Sequence, residues 1–486
     1  MIALTVAEAA AALSIEPIGD GHPEAIITSL VVDSRAVEPG TLFVALPGQR
    51  VDGHTFVEQV FQAGAAAALT SRPTATGQGL NLVVPDPLAA LGRLARHIVD
   101  RRISAGLQVV GITGSQGKTS TKDLLAVVLE QSGPTVAPYG NLNNEVGVPL
   151  TVSRVDEQTQ FLVSEMGARG IGHIAQLCQI TPPQVGVVLN VGRSHLGEFG
   201  GQPAIAQAKG ELVEALPATG AAVLNADDPL VWAMRSRSPA PVLACSVRGE
   251  PDHPHAMWAS EIETDVLGRC RFRLHERLQS GVRAAVAVQL RLTGRHHVGN
   301  AVAAAGAARA VGLDLDRIGA GLSSADPRSR WRMEITERSD GVLVINDAYN
   351  ANPESMRAAL DTLAQIGAPR TTTTWAVLGD MLELGQAADD EHRQIGRHAR
   401  RAGIKQLVVV GTHAEAVVAG ALDEGAGDHA RVAADKEAAT AWLLPRLTSG
   451  DVVLVKASRG LALDTVADAI LAASTAPQTD NSEGTA

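Results

Sequence analysis

Short apolar runs alternate with longer amphipathic stretches along most of the 486-residue chain. Apolar runs that end in polar residues are typical of strands buried on both faces of a parallel sheet. Stretches with apolar residues three and four positions apart are typical of the helices that cover such a sheet. The pattern predicts an α/β protein. Because the length exceeds what one hydrophobic core usually supports, we expect three domains.

The first predicted domain, residues 1–105, is a small α/β module. Its apolar runs are at 27–33, 41–46, 65–70 and 80–84. Its two helical patterns are at 55–62 and 88–99. Polar loops follow two of the runs, at 33–35 and 48–54. Their arginines can hold an anionic ligand through bidentate contacts. The alternative is an exposed turn whose arginines bind nothing specific.

The second predicted domain, residues 106–322, opens on an apolar run, a glycine-rich turn at 113–117 and a helix at 119–131. In such a turn, backbone N–H groups face phosphate oxygens, Lys118 neutralises charge and Thr119 can hold Mg²⁺. Ile112 stands where the strict P-loop pattern has its first glycine, so the match is to a shorter form of the loop. The alternative is a glycine-rich turn whose lysine is only solvated.

Three more apolar runs in this domain, at 161–164, 185–189 and 221–224, end in polar residues. Ligands bind at the carboxyl ends of parallel strands, so we expect Lys118, Thr119, Glu165, Asn190 and His195 to converge at one edge of the sheet. Mg²⁺ bound to a nucleoside triphosphate needs oxygen ligands, and Glu165 supplies a carboxylate. His195 is either a second ligand or a structural residue.

The remainder of the second domain has two kinds of pattern. Lys209 lies in a helical stretch and is either a surface lysine or one that faces the active site. Residues 239–292 alternate with a short, charge-rich, β-like period, which predicts an antiparallel annex to the sheet. Asn300 stands where the chain enters an alanine-rich helix.

The third predicted domain, residues 323–473, repeats the pattern of apolar runs with polar carboxyl ends. Its runs are at 342–345, 375–378, 407–410 and 452–455, which predicts a Rossmann-like sheet. Asn352 and Pro353 are expected as the N-cap and the first residue of a helix. No dinucleotide-binding fingerprint follows the first run. The polar tail, residues 474–486, is expected to be disordered.

Composition excludes several classes of function. The formal net charge is −11 and only 3% of residues are aromatic, which argues against a nucleic-acid-binding surface. The three cysteines, Cys178, Cys245 and Cys270, are too far apart for a paired zinc site or a disulfide framework, and this favours reduced cytosol. The N-terminus lacks a basic region and no apolar run is long enough to span a bilayer, so we expect no membrane insertion.

A phosphate loop with a magnesium carboxylate is compatible with three reaction types. These are phosphate transfer to a substrate, hydrolysis that drives motion, and activation of a carboxylate for condensation. Motor and switch NTPases need a further carboxylate and a water-positioning group beside the loop. Here two large flanking domains carry anionic-ligand loops of their own, which favours a condensation of several substrates.

Seven motifs, in order along the chain, resemble the motif series of the bacterial Mur ligases. They are at 113–119, 140–145, 164–167, 190–196, 208–211, 297–300 and 346–353. The resemblance implies a cytoplasmic, monomeric ligase that uses ATP and Mg²⁺, with two magnesium ions. The motifs at 140–145 and 346–353 point within the family to the branch that joins D-alanyl-D-alanine to UDP-MurNAc-tripeptide through an acyl phosphate.

The resemblance also implies a role for individual residues. ATP would be held by Gly114, Ser115, Gln116, Gly117, Lys118, Thr119, Ser120, Asn300, Arg332 and Asp347. Metal would be held by Thr119, Glu165, His195 and a carbamylated Lys209, and the catalytic residues would be Lys118, Lys209, His195 and Arg332. The UDP part of the substrate would meet Ser34, Arg35, Arg50, Asp52 and His54. Other substrate contacts would come from Asn143 and Asn144, and for the dipeptide from Asn350, Asp380, Glu383, Ser458 and Arg459.

Two alternatives remain at this point. One is a different ligase of the superfamily, such as the Mur ligase that adds a diamino acid one step earlier, or a folylpolyglutamate synthase. The other is a nucleotide-binding regulatory protein without ligase chemistry. These alternatives differ in the amine that they accept and in whether any peptide product forms.

Overall fold

A computed structural model describes residues 1–48, 51–73, 79–192, 201–370 and 372–473. Arg50, His195 and the predicted disordered tail at 474–486 lie outside the described residues. In the described ranges the strands form one two-stranded ribbon and three larger sheets, one for each of three α/β domains. The predicted fold class is confirmed.

The first domain is built on a four-stranded parallel sheet. Its strands are Ser29–Val31, Thr41–Val44, Ala67–Thr70 and Leu80–Val83, and its α-helices are Val6–Leu13, Val57–Gln62 and Pro87–Ile103. The ribbon pairs Leu4–Thr5 with Ile26–Ile27. The helix Val6–Leu13 is absent from the sequence-based prediction, although Thr5 and Glu8 form a capping box at its start.

The central domain is built on a nine-stranded sheet. Along the chain its strands are Gln108–Thr113, Thr135–Val136, Phe161–Glu165, Val185–Val188, Ala221–Asn225, Val242–Ser246, Ala256–Thr264, Arg269–Arg277 and Arg283–Thr293. Seven neighbouring strands pair in parallel, and the last two add to the sheet in antiparallel fashion. The predicted antiparallel annex at 239–292 is therefore confirmed for its later strands, whereas Val242–Ser246 belongs to the parallel part of the sheet. The helices are Lys118–Glu130, Gly147–Val152, His173–Ile180, Gln202–Glu214, Pro229–Ala233, His297–Ala310 and Leu315–Ser324.

The order of the central strands brings the expected polar ends together. Gln108–Thr113 lies between Phe161–Glu165 and Val185–Val188 in the sheet. The glycine-rich turn therefore leaves the sheet with Glu165 on one side and Asn190 on the other. Ile112, at the position of the missing glycine, is a fully buried residue of the strand, so the loop begins later than in the strict P-loop pattern.

The third domain has a six-stranded sheet. Its strands are Glu334–Glu337, Leu343–Asp347, Thr374–Leu378, Gln406–Val410, Ala430–Ala433 and Val452–Lys456, and its α-helices are Pro353–Gly367, Ala388–Arg401, Ala414–Asp423, Lys436–Leu443 and Asp464–Ala472. The four predicted strands form its centre, and the two strands missing from the prediction are its short edges. Asn352 is the N-cap of the helix that starts at Pro353, as predicted.

Two helices of the third domain, Ala388–Arg401 and Ala414–Asp423, approach so closely that only glycine fits between them. A Cβ at Gly396 would overlap the carbonyl oxygen of Val417. We expect Gly396→Ala to lower the free energy of unfolding by ~2 kcal/mol, because neither backbone can move without disturbing the core. Urea unfolding followed by circular dichroism measures the effect.

Gly299 provides the matched control for this prediction. It is also helical, but a Cβ there would meet only the side chain of Val247 at 3.9 Å. Gly299→Ala should therefore unfold at the same urea concentration as the unmodified protein or at a slightly higher one. Equal unfolding midpoints for the two variants would contradict the packing argument.

Within the described ranges, no helix combines the length and the apolar character needed to cross a bilayer.

Candidate active site

A cavity of about 1220 Å³ lies between the carboxyl edge of the central sheet and the third domain. The central domain contributes the glycine-rich loop, the loop at 141–147 and helix residues around Lys209. The third domain contributes the loops that follow three of its strands. The predicted site residues that line the cavity are Gly114, Ser115, Gln116, Gly117, Lys118, Thr119, Ser120, Asn143, Asn144, Glu165, Lys209, Asn300, Arg332, Asp347, Asn350, Glu383, Ser458 and Arg459.

The glycine-rich loop has the shape of a phosphate cradle. It joins the strand Gln108–Thr113 to the N-terminus of the helix Lys118–Glu130, where unpaired N–H groups and the helix dipole favour an anion. Gly117 has φ +78°, a left-handed conformation. A Cβ at this position would overlap the Asn300 side chain, so both the backbone angle and the packing require glycine.

Asn190 lines the cavity, and its side chain holds this loop in place. Its Oδ1 accepts a hydrogen bond from Gln116 N at 2.9 Å, and its Nδ2 donates to Gln116 O at 3.2 Å. Its own carbonyl accepts from Ser115 N at 3.1 Å. The Asn190 amide thus pairs with the backbone polar groups of the turn. These hydrogen bonds from the end of the strand keep the glycine-rich loop rigid.

Lys118 lies at the mouth of the loop with a lowered pKa. Its Nζ donates to Gly114 O at 2.8 Å. Burial lowers the pKa of Lys118, the negative charge of Glu165 raises it, and the positive charge of Arg332 lowers it further. Charged groups from two domains therefore act on one amine.

Glu165 is a buried carboxylate with one oxygen available. Its residue is 1% exposed, and Oε1 accepts from Asn143 Nδ2 at 2.9 Å. Oε2 is buried and has no hydrogen-bond partner among the described residues. A buried carboxylate oxygen without a donor fits a cation, and together with the Thr119 hydroxyl this is the donor chemistry that Mg²⁺ prefers.

Lys209 lines the cavity, so the alternative that it is a surface lysine is wrong. It is 5% exposed, on the helix Gln202–Glu214. Burial, and to a smaller degree the charge of Lys118, hold the pKa of Lys209 well below the ordinary lysine value. On the same helix, Glu211 accepts from Gly172 N at 2.6 Å and Ala175 N at 3.0 Å, which fixes the helix beside the site.

The third domain closes the cavity with Asp347, at the end of the strand Leu343–Asp347. Asp347 Oδ2 pairs with Lys456 Nζ at 2.6 Å, and Oδ1 accepts from Met333 N at 3.1 Å. Lys456 is 2% exposed and also donates to Asn350 O at 2.9 Å. Lys456 was not among the predicted site residues, although a charged residue that ends an apolar run is the signal that could have indicated it.

Arg332 enters the cavity from a strained connection between the central and third domains. Its neighbours Trp331 and Met333 have φ of +59° and +53°, which are left-handed values for non-glycine residues. The Arg332 guanidinium lies 4.2 Å from the ring centroid of Tyr349. Strain of this kind persists where the surroundings impose it, and here it flanks a cationic site residue.

The predicted dipeptide residues are not all in the cavity. Asn350, Glu383, Ser458 and Arg459 line it, and the Arg459 guanidinium stacks on the Trp331 ring at 4.2 Å. Asp380 lies behind the wall, where its carboxylate accepts from Thr412 N at 2.8 Å and His413 N at 3.0 Å. Asp380 is thus placed to support the wall, not to touch a ligand in the cavity.

The predicted UDP residues that the structure describes, Ser34, Arg35, Asp52 and His54, lie in the first domain and do not line this cavity. Arg35 pairs with Asp33 at 2.7 Å and is exposed. Asp52 and His54 form a second cluster, in which His54 Nδ1 lies 2.7 Å from Asp52 Oδ1 and His54 Nε2 accepts from Ser71 N at 2.9 Å. Ser34 begins a short 3₁₀ turn beside Asp33.

No group of three or more His, Cys, Asp or Glu side chains that could hold a metal ion occurs in the part of the chain that the structure describes. His195, the expected second ligand, is outside that part. The three cysteines are buried and unpaired. Among the described residues, Glu165 and Thr119 are therefore the candidate metal ligands.

A phosphate loop, a buried carboxylate beside it and a third domain that covers the same cavity are the arrangement expected of an ATP-dependent ligase. Three family models match the chain in order. They are "Mur ligase family, catalytic domain" at residues 26–98, "Mur ligase middle domain" at 112–308 and "Mur ligase, glutamate ligase domain" at 331–459. The chain belongs to the Mur ligase family, and the resemblance of its motifs is confirmed.

Several curated relatives of the chain share the name UDP-N-acetylmuramoyl-tripeptide–D-alanyl-D-alanine ligase. The relative from Mycobacterium bovis is 45% identical over 97% of this chain and 98% of its own length. The relative from Escherichia coli is 36% identical over 91% and 94%, respectively. The one from Bacillus subtilis is 31% identical over 92% and 93%.

Solved structures give the same result. MurF from Acinetobacter baumannii superposes with a TM-score of 0.84 and 32% identity, over 96% of this chain and 99% of that one. MurF ligase from Thermotoga maritima, solved in complex with ADP, has a TM-score of 0.76 and 28% identity, over 91% and 97%. The similarity therefore extends over all three domains.

Proposed function

We propose that this chain uses ATP to join D-alanyl-D-alanine to the terminal carboxylate of UDP-N-acetylmuramoyl-tripeptide, with release of ADP and phosphate. One observation carries the proposal. A single cavity is lined by the phosphate loop, by Glu165 and Lys209 of the central domain, and by loops of the third domain. The name shared by relatives that span more than nine-tenths of the chain supports the choice of substrates.

The proposed reaction has two chemical steps. An oxygen of the tripeptide carboxylate attacks the γ-phosphorus of ATP, and the bond to the ADP oxygen breaks, giving an acyl phosphate. The amine of the dipeptide then attacks the acyl carbon, loses a proton and expels phosphate from a tetrahedral intermediate. The first step brings two anions together, so the positive charges of Lys118 and Arg332 lower its barrier.

Water must be kept from the acyl phosphate, because its hydrolysis wastes ATP. The third domain covers the phosphate loop through Asp347, Lys456 and the connection that carries Arg332. This arrangement supports a site that is shielded once both domains hold their substrates. In the proposal, Asp347 also meets the ribose of the nucleotide, as the family resemblance implies.

Magnesium is the metal that the available donors suit. Thr119 and Glu165 would hold it together with phosphate oxygens, which agrees with the preference of Mg²⁺ for few protein ligands. When bound, it neutralises phosphate charge. A second ion would need a further anion, and we propose that a carbamate on Lys209 supplies it. In that reaction the neutral amine adds to carbon dioxide and releases one proton.

The first domain would bind the UDP group of the sugar nucleotide. Ser34, Arg35, Arg50, Asp52 and His54 remain the proposed contacts; Arg50 lies outside the described residues. We further propose domain limits near residues 105 and 322, which fit the sheets because no sheet includes strands from both sides of either limit. We also propose a monomer that works in the cytoplasm.

The amine specificity of the chain tests the proposed function. Purified protein is given ATP, Mg²⁺ and UDP-MurNAc-tripeptide, with D-alanyl-D-alanine, a free diamino acid or glutamate as the amine. We expect phosphate release and a product of the joined mass only with the dipeptide. A product with either other amine would assign the chain to a different ligase of the family.

The same assay addresses the regulatory alternative. A nucleotide-binding protein without ligase chemistry would bind ATP with an affinity that neither cosubstrate changes, and mass spectrometry would find no peptide product. Reactions that lack the UDP-substrate are the control for phosphate released by hydrolysis alone.

A further inference from the structure

One wall of the cavity is a loop whose shape depends on side chains outside the cavity. Residues 379–384 follow the strand Thr374–Leu378, and Leu382, Glu383 and Leu384 line the cavity. Glu383 has φ +67°, a left-handed value that a non-glycine residue adopts only when its surroundings impose it. The structure must therefore hold this loop against its own backbone preference.

Three polar groups hold the loop. His392 Nε2 accepts from Met381 N at 2.9 Å, and Ser458 Oγ accepts from Leu382 N at 3.1 Å. Asp380 ties the start of the loop to the next strand end through Thr412 N and His413 N. Ser458 lines the cavity itself, whereas His392 acts from behind the wall.

The hydrogen bonds of His392 determine its protonation state. The side chain is fully buried on the helix Ala388–Arg401, and Nδ1 lies 2.6 Å from Ala388 O. A carbonyl oxygen only accepts, so Nδ1 carries the proton. Met381 N–H only donates, so Nε2 must be free of one. The ring is therefore neutral in this arrangement.

The groups around His392 are compatible with a neutral ring. His413 stacks on it with ring centroids 4.6 Å apart and takes Asp389 as its own partner at 2.6 Å. Asp380 Oδ1 lies 3.9 Å from Nε2. Burial is the main cause that lowers the pKa of His392, and the charge of His413 adds to it, against the raising effects of Ala388 O, Asp380 and Asp389.

We propose that His392 is a positioning residue for the second substrate. By accepting the Met381 N–H, it fixes the loop at 381–384 in the shape that receives the dipeptide. The inference rests on the proposed function and on the dipeptide contacts that the family resemblance implies for Glu383, Ser458 and Arg459, which line the cavity. It adds a residue that touches no substrate and acts on the amine-binding step alone.

Two conservative substitutions distinguish the loss of the Nε2 hydrogen bond from the loss of the ring's volume. In His392→Gln the side-chain carbonyl reaches the position of Nε2 and can still accept from Met381 N. In His392→Asn the shorter side chain reaches only the position of Nδ1. We expect KM for D-alanyl-D-alanine to rise about tenfold in the Asn variant, the effect of one lost buried hydrogen bond, and to stay within about threefold in the Gln variant.

The substitutions at His392 should affect only the kinetic parameter of the dipeptide. KM for ATP and kcat at saturating dipeptide should stay near the values of the unmodified protein in both variants. His398→Asn is the matched control, because His398 lies on the same helix, pairs with Asp361 at 2.7 Å and does not line the cavity. Its kinetics should not change.

The pH dependence of KM provides the second readout. Protonation would put an N–H on Nε2 opposite the Met381 N–H, so the loop is held only while the ring is neutral. The amino group of the dipeptide titrates in the same way with both proteins, so the informative quantity is the dipeptide KM of the unmodified protein relative to that of the Gln variant. Because the pKa of His392 is lowered, this ratio should be constant from pH 8 to about 6.5, the ordinary value for histidine, and rise below it. The Gln variant keeps His413, Asp389 and Asp380 but lacks the imidazole that causes this rise.

Three results would overturn the proposal. They are equal dipeptide KM values in the Asn and Gln variants, a parallel rise in KM for ATP, and the same acid rise of KM in the Gln variant. If the Asn variant does not fold, the pH profiles of the unmodified protein and the Gln variant still decide. Absence of a dipeptide product with the unmodified protein would instead reject the proposed function.

Discussion

Lys209→Ala should lower kcat by about a thousandfold, and a short-chain carboxylate in the assay should restore part of the activity. Lys209 is nearly buried beside the phosphate loop, with a pKa held well below the ordinary lysine value. A cation there would add to the charge of Lys118 instead of binding metal. A carbamate would reverse the sign of the charge and create an oxygen ligand.

The rescue distinguishes the carbamate from a simple loss of packing. Alanine leaves space for acetate or formate, whose carboxylate can occupy the position of the carbamate group. We expect rescue to rise with carboxylate concentration and to reach a plateau, whereas chloride at the same ionic strength should have no effect. Steady-state phosphate release measures both.

Lys209→Arg is the matched control, because it keeps the positive charge and most of the volume but cannot form a stable carbamate. It should be as inactive as the alanine variant and should not respond to carboxylates. An Arg variant with normal turnover would mean that the cation itself is required. Normal turnover in the alanine variant would mean that Lys209 has no catalytic role.

Glu165→Gln should lower kcat/KM for ATP by about a thousandfold, with little change in stability. Glutamine keeps the size of the side chain and its oxygen can still accept from Asn143 Nδ2, which lies 2.9 Å from Oε1. The substitution replaces the unpartnered Oε2 by an NH₂ group. A cation that is held by that oxygen would lose its only buried anionic ligand among the described residues of the phosphate site.

The Mg²⁺ dependence of ATP affinity tests this prediction without turnover. Calorimetric titrations with and without Mg²⁺ should give a clear increase in affinity for the unmodified protein and almost none for Glu165→Gln. Glu157→Gln, which removes an exposed carboxylate ahead of the same strand, is the control and should behave as the unmodified protein does. An unchanged Mg²⁺ effect in Glu165→Gln would show that the metal binds elsewhere.

Asn143→Ala should give a smaller effect, about tenfold in kcat/KM for ATP, since it removes one hydrogen bond to a carboxylate that stays in place. The two variants together separate the charge of Glu165 from its orientation. An effect of Asn143→Ala as large as that of Glu165→Gln would indicate that the loop at 141–147 has a direct role in ATP binding.

The phosphate loop and the central strands could be predicted from local sequence patterns. Apolar runs with polar ends identify buried parallel strands because both faces of such strands must be apolar. The edge strands Glu334–Glu337 and Ala430–Ala433 lack that signal, since most of their side chains are partly or fully exposed. The helix Val6–Leu13 was also not predicted, despite its capping box.

The roles of single side chains depended more on long-range packing. Asn190 and Asp380 follow strands as ligands would, but their hydrogen bonds go to neighbouring backbone groups. Lys456 was given no role in the sequence-based prediction. It is the ion-pair partner of Asp347, at the end of the neighbouring strand in the sheet of the third domain. Position along the chain does not distinguish a side chain that faces a ligand from one that satisfies a buried N–H.

The fold class, the three domains, the Mur ligase family and the glycine-rich loop could be predicted from the sequence, because these depend on periodicity and on contiguous motifs. The burial of Lys209 beside Lys118, the free oxygen of Glu165 among the described residues and the support that His392 gives to the loop at 381–384 are visible only in the folded chain. Burial and hydrogen-bond partners arise from contacts between residues far apart in sequence, and no local pattern encodes them.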